Sequence, residues 1–128
     1  MTHATASIGR DLYRTQIETG AGHRLVADEP VSLGGADGGP APYDLVVAGL
    51  GACTAITLRM YADLKAWPLA SVQVQLRLAR ENNEMVVERL LHIEGLDDAQ
   101  KARLAEVAER TPVTLTLKSG LQIRTTLA

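Results

Sequence analysis

The chain has 128 residues, and its 13 lysines and arginines against 15 aspartates and glutamates give it a net charge of −2. Its length fits a single domain over residues 1–128, and its weak acidity and 3% aromatic content exclude the strongly basic, ring-rich surfaces of nucleic-acid-binding proteins. The single cysteine, Cys53, excludes an intramolecular disulfide and a zinc cluster of thiolates, and it favours a reducing, cytoplasmic location.

The first third of the chain contains two predicted strands and a loop. Residues 7–18 and 23–27 mix β-branched and polar side chains on either side of Gly20 and Gly22, which predicts an antiparallel hairpin. Residues 32–42 contain four glycines and two prolines, so we expect a loop without regular structure there. The small, polar residues at 1–7 do not have the pattern of a targeting signal.

A long apolar helix is predicted over residues 43–64, with Pro42 suited to its first turn. Its longest apolar run, residues 45–60, is shorter than a membrane span, so we expect a buried helix and no membrane partner. Gly49 and Gly51 each cost about 1 kcal/mol relative to alanine inside a helix. We therefore expect another element to approach the helix closely at these glycines.

The second half of the chain alternates between strands and a helix. Residues 71–80 place Val72, Val74, Leu76 and Leu78 on one face, which is typical of a half-buried strand. Residues 85–94 predict its hairpin partner, and a helix capped by Asp97 or Asp98 is expected to reach Arg110. Residues 113–118 and 121–127 are two more predicted strands. This order favours an α+β fold in which a mostly antiparallel sheet wraps the long hydrophobic helix.

Cys53 lies near the middle of the long helix, among small residues. It is either a small core residue or a thiolate nucleophile. The helix dipole acts mainly over the first turn, so activation of the thiol needs a cation from another element. Arg10 and Arg14, on the N-terminal strands, are the preferred candidates over Arg24, whereas Arg59 lies on the same helix and faces away from Cys53.

Metal and cofactor sites are not expected. His3, His23 and His92 show no ligand spacing, and the glycine-rich loop fits neither the phosphate-binding nor the dinucleotide-binding pattern. A pairing of Cys53 with His23 or His92 stays open as an alternative nucleophilic arrangement.

Residues 39–61, GPAPYDLVVAGLGACTAITLRMY, resemble the signature of the OsmC/Ohr family of osmotically inducible and organic hydroperoxide resistance proteins. The resemblance extends over residues 23–35, 67–68 and 108–117, and it is greatest with the short YhfA-like branch. It implies an OsmC-like α+β fold assembled as an intertwined homodimer, with the two long helices at the centre and each active site at the subunit interface. It also implies thiol-dependent reduction of small organic hydroperoxides.

In this resemblance Cys53 matches the peroxidatic cysteine, and either Arg10 or Arg14 matches the arginine that holds its thiolate. The acidic partner of that arginine falls on Tyr43, so the neighbouring Asp44 is the candidate substitute.

The second redox site departs from the family pattern. The usual CPVH motif reads TPVT here, with Thr111 in place of the resolving cysteine and Thr114 in place of the histidine. One hypothesis is a one-cysteine peroxidase regenerated by an external thiol. The alternative is a non-catalytic relative that binds a small hydrophobic ligand in the dimer cleft, with Cys53 as packing.

Overall fold

The computed structural model of the chain describes residues 2–128, in two compact units that divide between Val46 and Val47. The first unit contains an antiparallel sheet in the order β1 (Ala4–Ser7), β2 (Thr15–Thr19) and β3 (Arg24–Ala27). The β2–β3 hairpin confirms the predicted pairing. The continuous strand predicted over residues 7–18 is wrong, because a loop of residues 8–14 separates β1 from β2. Gly9 and Asp11 in that loop are turn formers that disfavour a strand.

The loop predicted over residues 32–42 is confirmed, apart from a short 3-10 turn at Val31–Leu33. Helix α1 (Pro42–Leu64) follows it and confirms the predicted long helix. A buried stripe along α1 recurs at every fourth residue, as expected for a helix packed on one side; it consists of Leu50, Thr54, Leu58 and Ala62.

The two helix glycines of α1 differ in their surroundings. A Cβ atom at Gly51 would lie 2.7 Å from Leu76 Cδ1 on the following strand, so the expected close approach is confirmed there. No atom of residues 2–128 lies within 4 Å of the corresponding position at Gly49. Only Gly51 is therefore explained by packing within the chain.

The second unit contains a long hairpin of β4 (Ser71–Glu81) and β5 (Glu84–Glu94), which confirms both predicted strands. Asn82 and Asn83 form its turn with φ angles of 48° and 67°, as a two-residue hairpin turn requires. Burial alternates over residues 71–78 of β4 and 87–94 of β5, and Leu76 lies opposite Arg89 on the face that packs inward.

Helix α2 (Asp98–Ala108) confirms the predicted helix, and Asp97 caps it through a reciprocal pair of hydrogen bonds with Gln100. The strand predicted over residues 113–118 is wrong, because α3 (Pro112–Ser119) is a helix. Proline at the first helical position is preorganised for that conformation. The strand predicted over residues 121–127 is also wrong: this segment is exposed, and it pairs with no strand among residues 2–128.

The core of the second unit joins α1, α2 and the hairpin; its buried residues are Leu58, Ala62, Leu69, Leu104 and Ala108. In residues 2–128, α1 alone has the length and apolar composition of a membrane-spanning helix. Leu58 and Ala62 on α1 are nevertheless completely buried by protein, as in a core helix. The predicted α+β class, with antiparallel sheets and one long apolar helix, is confirmed, and the single domain over residues 1–128 stays a prediction.

Candidate functional site

Cys53 is a free thiol on α1 and is half-buried. Its Sγ lies 4.0 Å from Thr57 Oγ1, one helical turn further along the chain. The thiol therefore has a polar neighbour on its own helix, and the residue is partly exposed.

The partial exposure of Cys53 follows from its position relative to the exposed face of α1. Opposite the buried stripe runs an exposed stripe of Ala52, Ile56 and Met60, in which the two large side chains are 52% and 66% exposed. At about 100° per residue, Cys53 points about 60° away from Ile56 around the helix axis. The thiol thus lies at the edge of the exposed apolar surface of α1.

Arg10 and Arg14 lie together in the loop of residues 8–14 of the first unit, and both are exposed. Their predicted location on strands is wrong, for the reason given above. This loop is held by Asp28, whose Oδ1 accepts the N–H of Tyr13 at 3.1 Å. Asp28 therefore positions the chain segment between the two candidate arginines.

Asp28 is itself a buried carboxylate, only 3% exposed. It also accepts the backbone N–H groups of Glu29 at 2.7 Å, Gly38 at 3.0 Å and Ala36 at 3.4 Å. The Gly38 N–H above all, with those of Glu29, Tyr13 and Ala36, holds the pKa of Asp28 below its ordinary value although burial opposes this. One ionised carboxylate thereby ties the glycine-rich loop to the arginine loop.

Asp44 lies in the first turn of α1 and is exposed. Its Oδ2 accepts the N–H of Ala41 at 3.0 Å, a contact that satisfies a free donor at the helix start. The neighbouring Tyr43 is also exposed. In the second unit, His92 Nε2 contacts Gln75 Oε1 at 2.9 Å, and residues 2–128 contain no cluster of three His, Cys, Asp or Glu side chains that could hold a metal.

The buried hydroxyl network of the second unit was not predicted. It consists of Thr54, Arg89, Thr111 and Thr114. Arg89 Nη1 donates to Thr54 Oγ1 at 3.0 Å and to Thr114 Oγ1 at 2.8 Å. Arg89 Nη2 donates to the carbonyl of Ala108 at 2.9 Å. The network therefore connects α1, β5 and the α2–α3 corner.

Thr111 and Thr114, which replace the cysteine and histidine of the motif that the sequence resembles, complete this network. Thr114 donates to the Ala108 carbonyl at 3.2 Å, so its 2.6 Å contact with Thr111 Oγ1 has Thr111 as the donor. Thr111 is completely buried and Thr114 nearly so. At both positions to which the resemblance assigns redox residues, the threonine hydroxyl is used in structural hydrogen bonds.

A signal for Arg89 was present in the sequence. Val87, Leu91 and Ile93 alternate along β5 and point inward, and Arg89 occupies the inward position between them. An arginine at an inward-facing position of a strand, where its neighbours on the same face are apolar, indicates a buried charge that needs hydrogen-bond or ionic partners.

Comparisons with known proteins agree on one family and one fold. Residues 34–126 match the family described as OsmC-like protein. An organic hydroperoxide resistance protein OsmC from Legionella pneumophila is 28% identical, with a TM-score of 0.69 and coverage of 92% of this chain and 89% of that one. An organic hydroperoxide resistance protein from Elizabethkingia anophelis is 26% identical, with a TM-score of 0.63 and coverage of 85% of this chain and 81% of that one. An OsmC-like protein from Mycoplasma pneumoniae is 17% identical, with a TM-score of 0.72 and coverage of 92% and 87%. A search of curated proteins gives no match.

Proposed function

We propose, because the chain belongs to the OsmC-like protein family, that it reduces small organic hydroperoxides with Cys53 as the reacting thiol. Two similar solved structures, 28% and 26% identical to this chain, are named organic hydroperoxide resistance proteins. The observation that carries the proposal is the position of Cys53, which is half-buried at the edge of the exposed stripe of α1. A peroxide can reach a thiol in that position, whereas a sealed thiol is inert.

The oxidative half-reaction needs the thiolate and no cofactor. The Cys53 sulfur attacks the terminal peroxide oxygen, a sulfur–oxygen bond forms, and the oxygen–oxygen bond breaks. The leaving alkoxide takes a proton and becomes an alcohol, while Cys53 is oxidised by two electrons to a sulfenic acid. We assign the cation that stabilises the thiolate to Arg10 or Arg14, and Asp44 to the orientation of that guanidinium.

The reductive half-reaction requires an external thiol. Thr111 replaces the resolving cysteine, and its hydroxyl cannot form a disulfide. An external thiolate attacks the sulfenic sulfur, a sulfur–sulfur bond forms, and the sulfur–oxygen bond breaks; the leaving hydroxide takes a proton from solvent and becomes water. A second thiol group then releases Cys53 as a thiolate and carries away the disulfide. Because such thiols are maintained in reducing compartments, we place the protein in the cytoplasm.

We also propose that the functional form is a homodimer. The exposed stripe of α1 and the exposed C-terminal segment present large apolar side chains; in that segment these are Leu121, Ile123 and Leu127. A second copy that covered the exposed stripe would place Cys53 at the edge of the interface. Sedimentation equilibrium should give twice the 13.7 kDa chain mass, and Met60→Asp should shift the protein toward monomer; a monomeric unsubstituted protein would contradict the proposal.

Peroxide consumption tests the catalytic proposal. Without added thiol, the protein should consume one equivalent of cumene hydroperoxide per chain, and mass spectrometry should find one added oxygen on Cys53. Dithiothreitol should convert this into turnover. Cys53→Ser should consume none. Peroxide consumption by Arg10→Met and by Arg14→Met, with Arg24→Met as the control, should identify the arginine that stabilises the thiolate. Equal consumption by Cys53→Ser would refute the proposal.

The second candidate is a non-catalytic relative that binds a small hydrophobic ligand in the dimer cleft. The structural use of Thr111 and Thr114 favours it, because both hydroxyls serve the buried network. In that case Cys53 is packing and should react slowly with iodoacetamide at neutral pH. Rapid alkylation well below pH 8 would count against this candidate and for the peroxidase.

A further inference from the structure

The charge of Arg89 is paired with one carboxylate of the described residues, and that contact is longer than its hydrogen bonds. Its side chain is 13% exposed, and its three short hydrogen bonds all go to uncharged oxygens, those of Thr54, Thr114 and Ala108. The carboxylate that approaches it, Glu109 Oε2, lies 3.7 Å from Nη2. Glu109 is 61% exposed, so it pairs with Arg89 while remaining largely in solvent. Arg89 therefore has room to pair with a further anion at shorter distance.

A second cation lies beside it. Lys118 Nζ on α3 donates to Glu109 Oε2 at 2.9 Å, so one carboxylate oxygen contacts both Lys118 and Arg89. The hydrogen bond from Lys118 holds the pKa of Glu109 below its usual range, and Arg89 adds to the effect. Glu109 is therefore ionised at neutral pH. Two cations and one carboxylate leave the cluster with one uncompensated positive charge.

These groups open into a cavity of about 490 Å³, within the range of small-molecule sites. Arg89, Lys118, Glu109 and the Thr114 hydroxyl supply its polar lining. The rest of its lining is apolar and consists of Leu50, Met85, Val87 and Leu117. A cavity with a cationic end and an apolar wall matches a ligand with one negative charge and a hydrocarbon chain.

We propose that this cavity binds a monocarboxylate with an unbranched apolar chain, whose carboxylate takes the place of Glu109 between Arg89 and Lys118. Glu109 follows the last residue of α2 and its side chain is 61% exposed, so it can turn into solvent when the ligand arrives. The ligand's carboxylate then pairs with both cations inside the cavity, and the Glu109 carboxylate is returned to solvent. This inference does not depend on the chemistry of Cys53.

Calorimetric titration of the full chain with octanoate tests the proposal, with octanol as the uncharged analogue. Octanoate should bind at least about tenfold more tightly than octanol. Lys118→Met should weaken octanoate binding by about tenfold, equivalent to about 1.4 kcal/mol, and Glu109→Gln should strengthen it by removing the competing carboxylate. Lys101→Met removes the same charge from α2 and should leave the affinity unchanged.

Three outcomes overturn the proposal: no binding of octanoate, equal affinity for octanol, or an equal loss in Lys101→Met and Lys118→Met. Cys53→Ser should bind octanoate with unchanged affinity, so that failure of the peroxidase proposal and failure of this one are distinguishable. None of these variants removes Arg89, so the test does not depend on how well the fold survives without it.

Discussion

Replacing Thr114 by valine removes one hydroxyl from the buried network and nearly preserves the side-chain shape. That hydroxyl accepts from Arg89 at 2.8 Å and from Thr111 at 2.6 Å, and it donates to the Ala108 carbonyl. A hydrogen bond to a charged group contributes about 1.5–3 kcal/mol, and a buried hydroxyl left unpaired costs about 1–3 kcal/mol. Arg89 keeps two other partners, so the lower values apply, and Thr114→Val should lose about 3 kcal/mol of unfolding free energy.

Urea unfolding at one fixed protein concentration measures this loss, since association of chains would otherwise shift the midpoint. Thr116→Val is the matched control, because Thr116 is half-buried on the same helix and its hydroxyl forms no hydrogen bond within residues 2–128. The control should change the free energy of unfolding by less than about 0.5 kcal/mol. A loss in Thr114→Val no larger than in Thr116→Val would refute the assigned network.

Two further predictions concern the first unit. Asp28 stabilises it fully above the ordinary aspartate pKa, and this stability is lost as the pH falls through its lowered native pKa. Asp28→Asn should therefore lower the free energy of unfolding at pH 7, and this free energy should fall less steeply with decreasing pH than in the unsubstituted protein. Parallel pH profiles of the two proteins, measured by urea unfolding, would contradict this. Gly39→Ala would press a methyl group against the carbonyl of Val26 and should cost about 2 kcal/mol. Gly9→Ala, with no described atom within 4 Å, should be nearly neutral, and thermal unfolding that reversed this order would refute the packing.

The elements that the sequence predicted correctly are those whose local pattern and tertiary packing agree. Helix α1 has a proline at its start and an apolar stripe at helical spacing, and β4 alternates from Ser71 to Leu78. Helix α3 was predicted as a strand because Val113, Thr114 and Thr116 have high β-propensity. Pro112 at the helix start is a local signal that opposes this preference, and the burial of Thr114 beside Arg89, which a short window does not show, adds to it.

The candidate site was predicted less completely than the fold. The resemblance predicts Cys53 as the reacting thiol, which stays a prediction, and the alternation along β5 could have indicated Arg89 as an inward charge. The partners of Arg89 could not be read from spacing, because Thr54, Thr114 and Ala108 lie 35, 25 and 19 residues away from it. Only the packing of α1, β5 and the α2–α3 corner brings these oxygens together.

The position of Thr111 has two separate consequences. In the proposed peroxidase cycle, a threonine at this position cannot form a disulfide with Cys53, so the cycle depends on an external thiol. In the packing of the chain, the Thr111 hydroxyl donates to Thr114, and Thr114 accepts from Arg89. Arg89 also donates to Thr54, the residue next to Cys53 on α1. A thiol at position 111 would be a weaker donor in a fully buried place. A cysteine at position 111 would therefore weaken the network that connects the α2–α3 corner to Arg89 and α1.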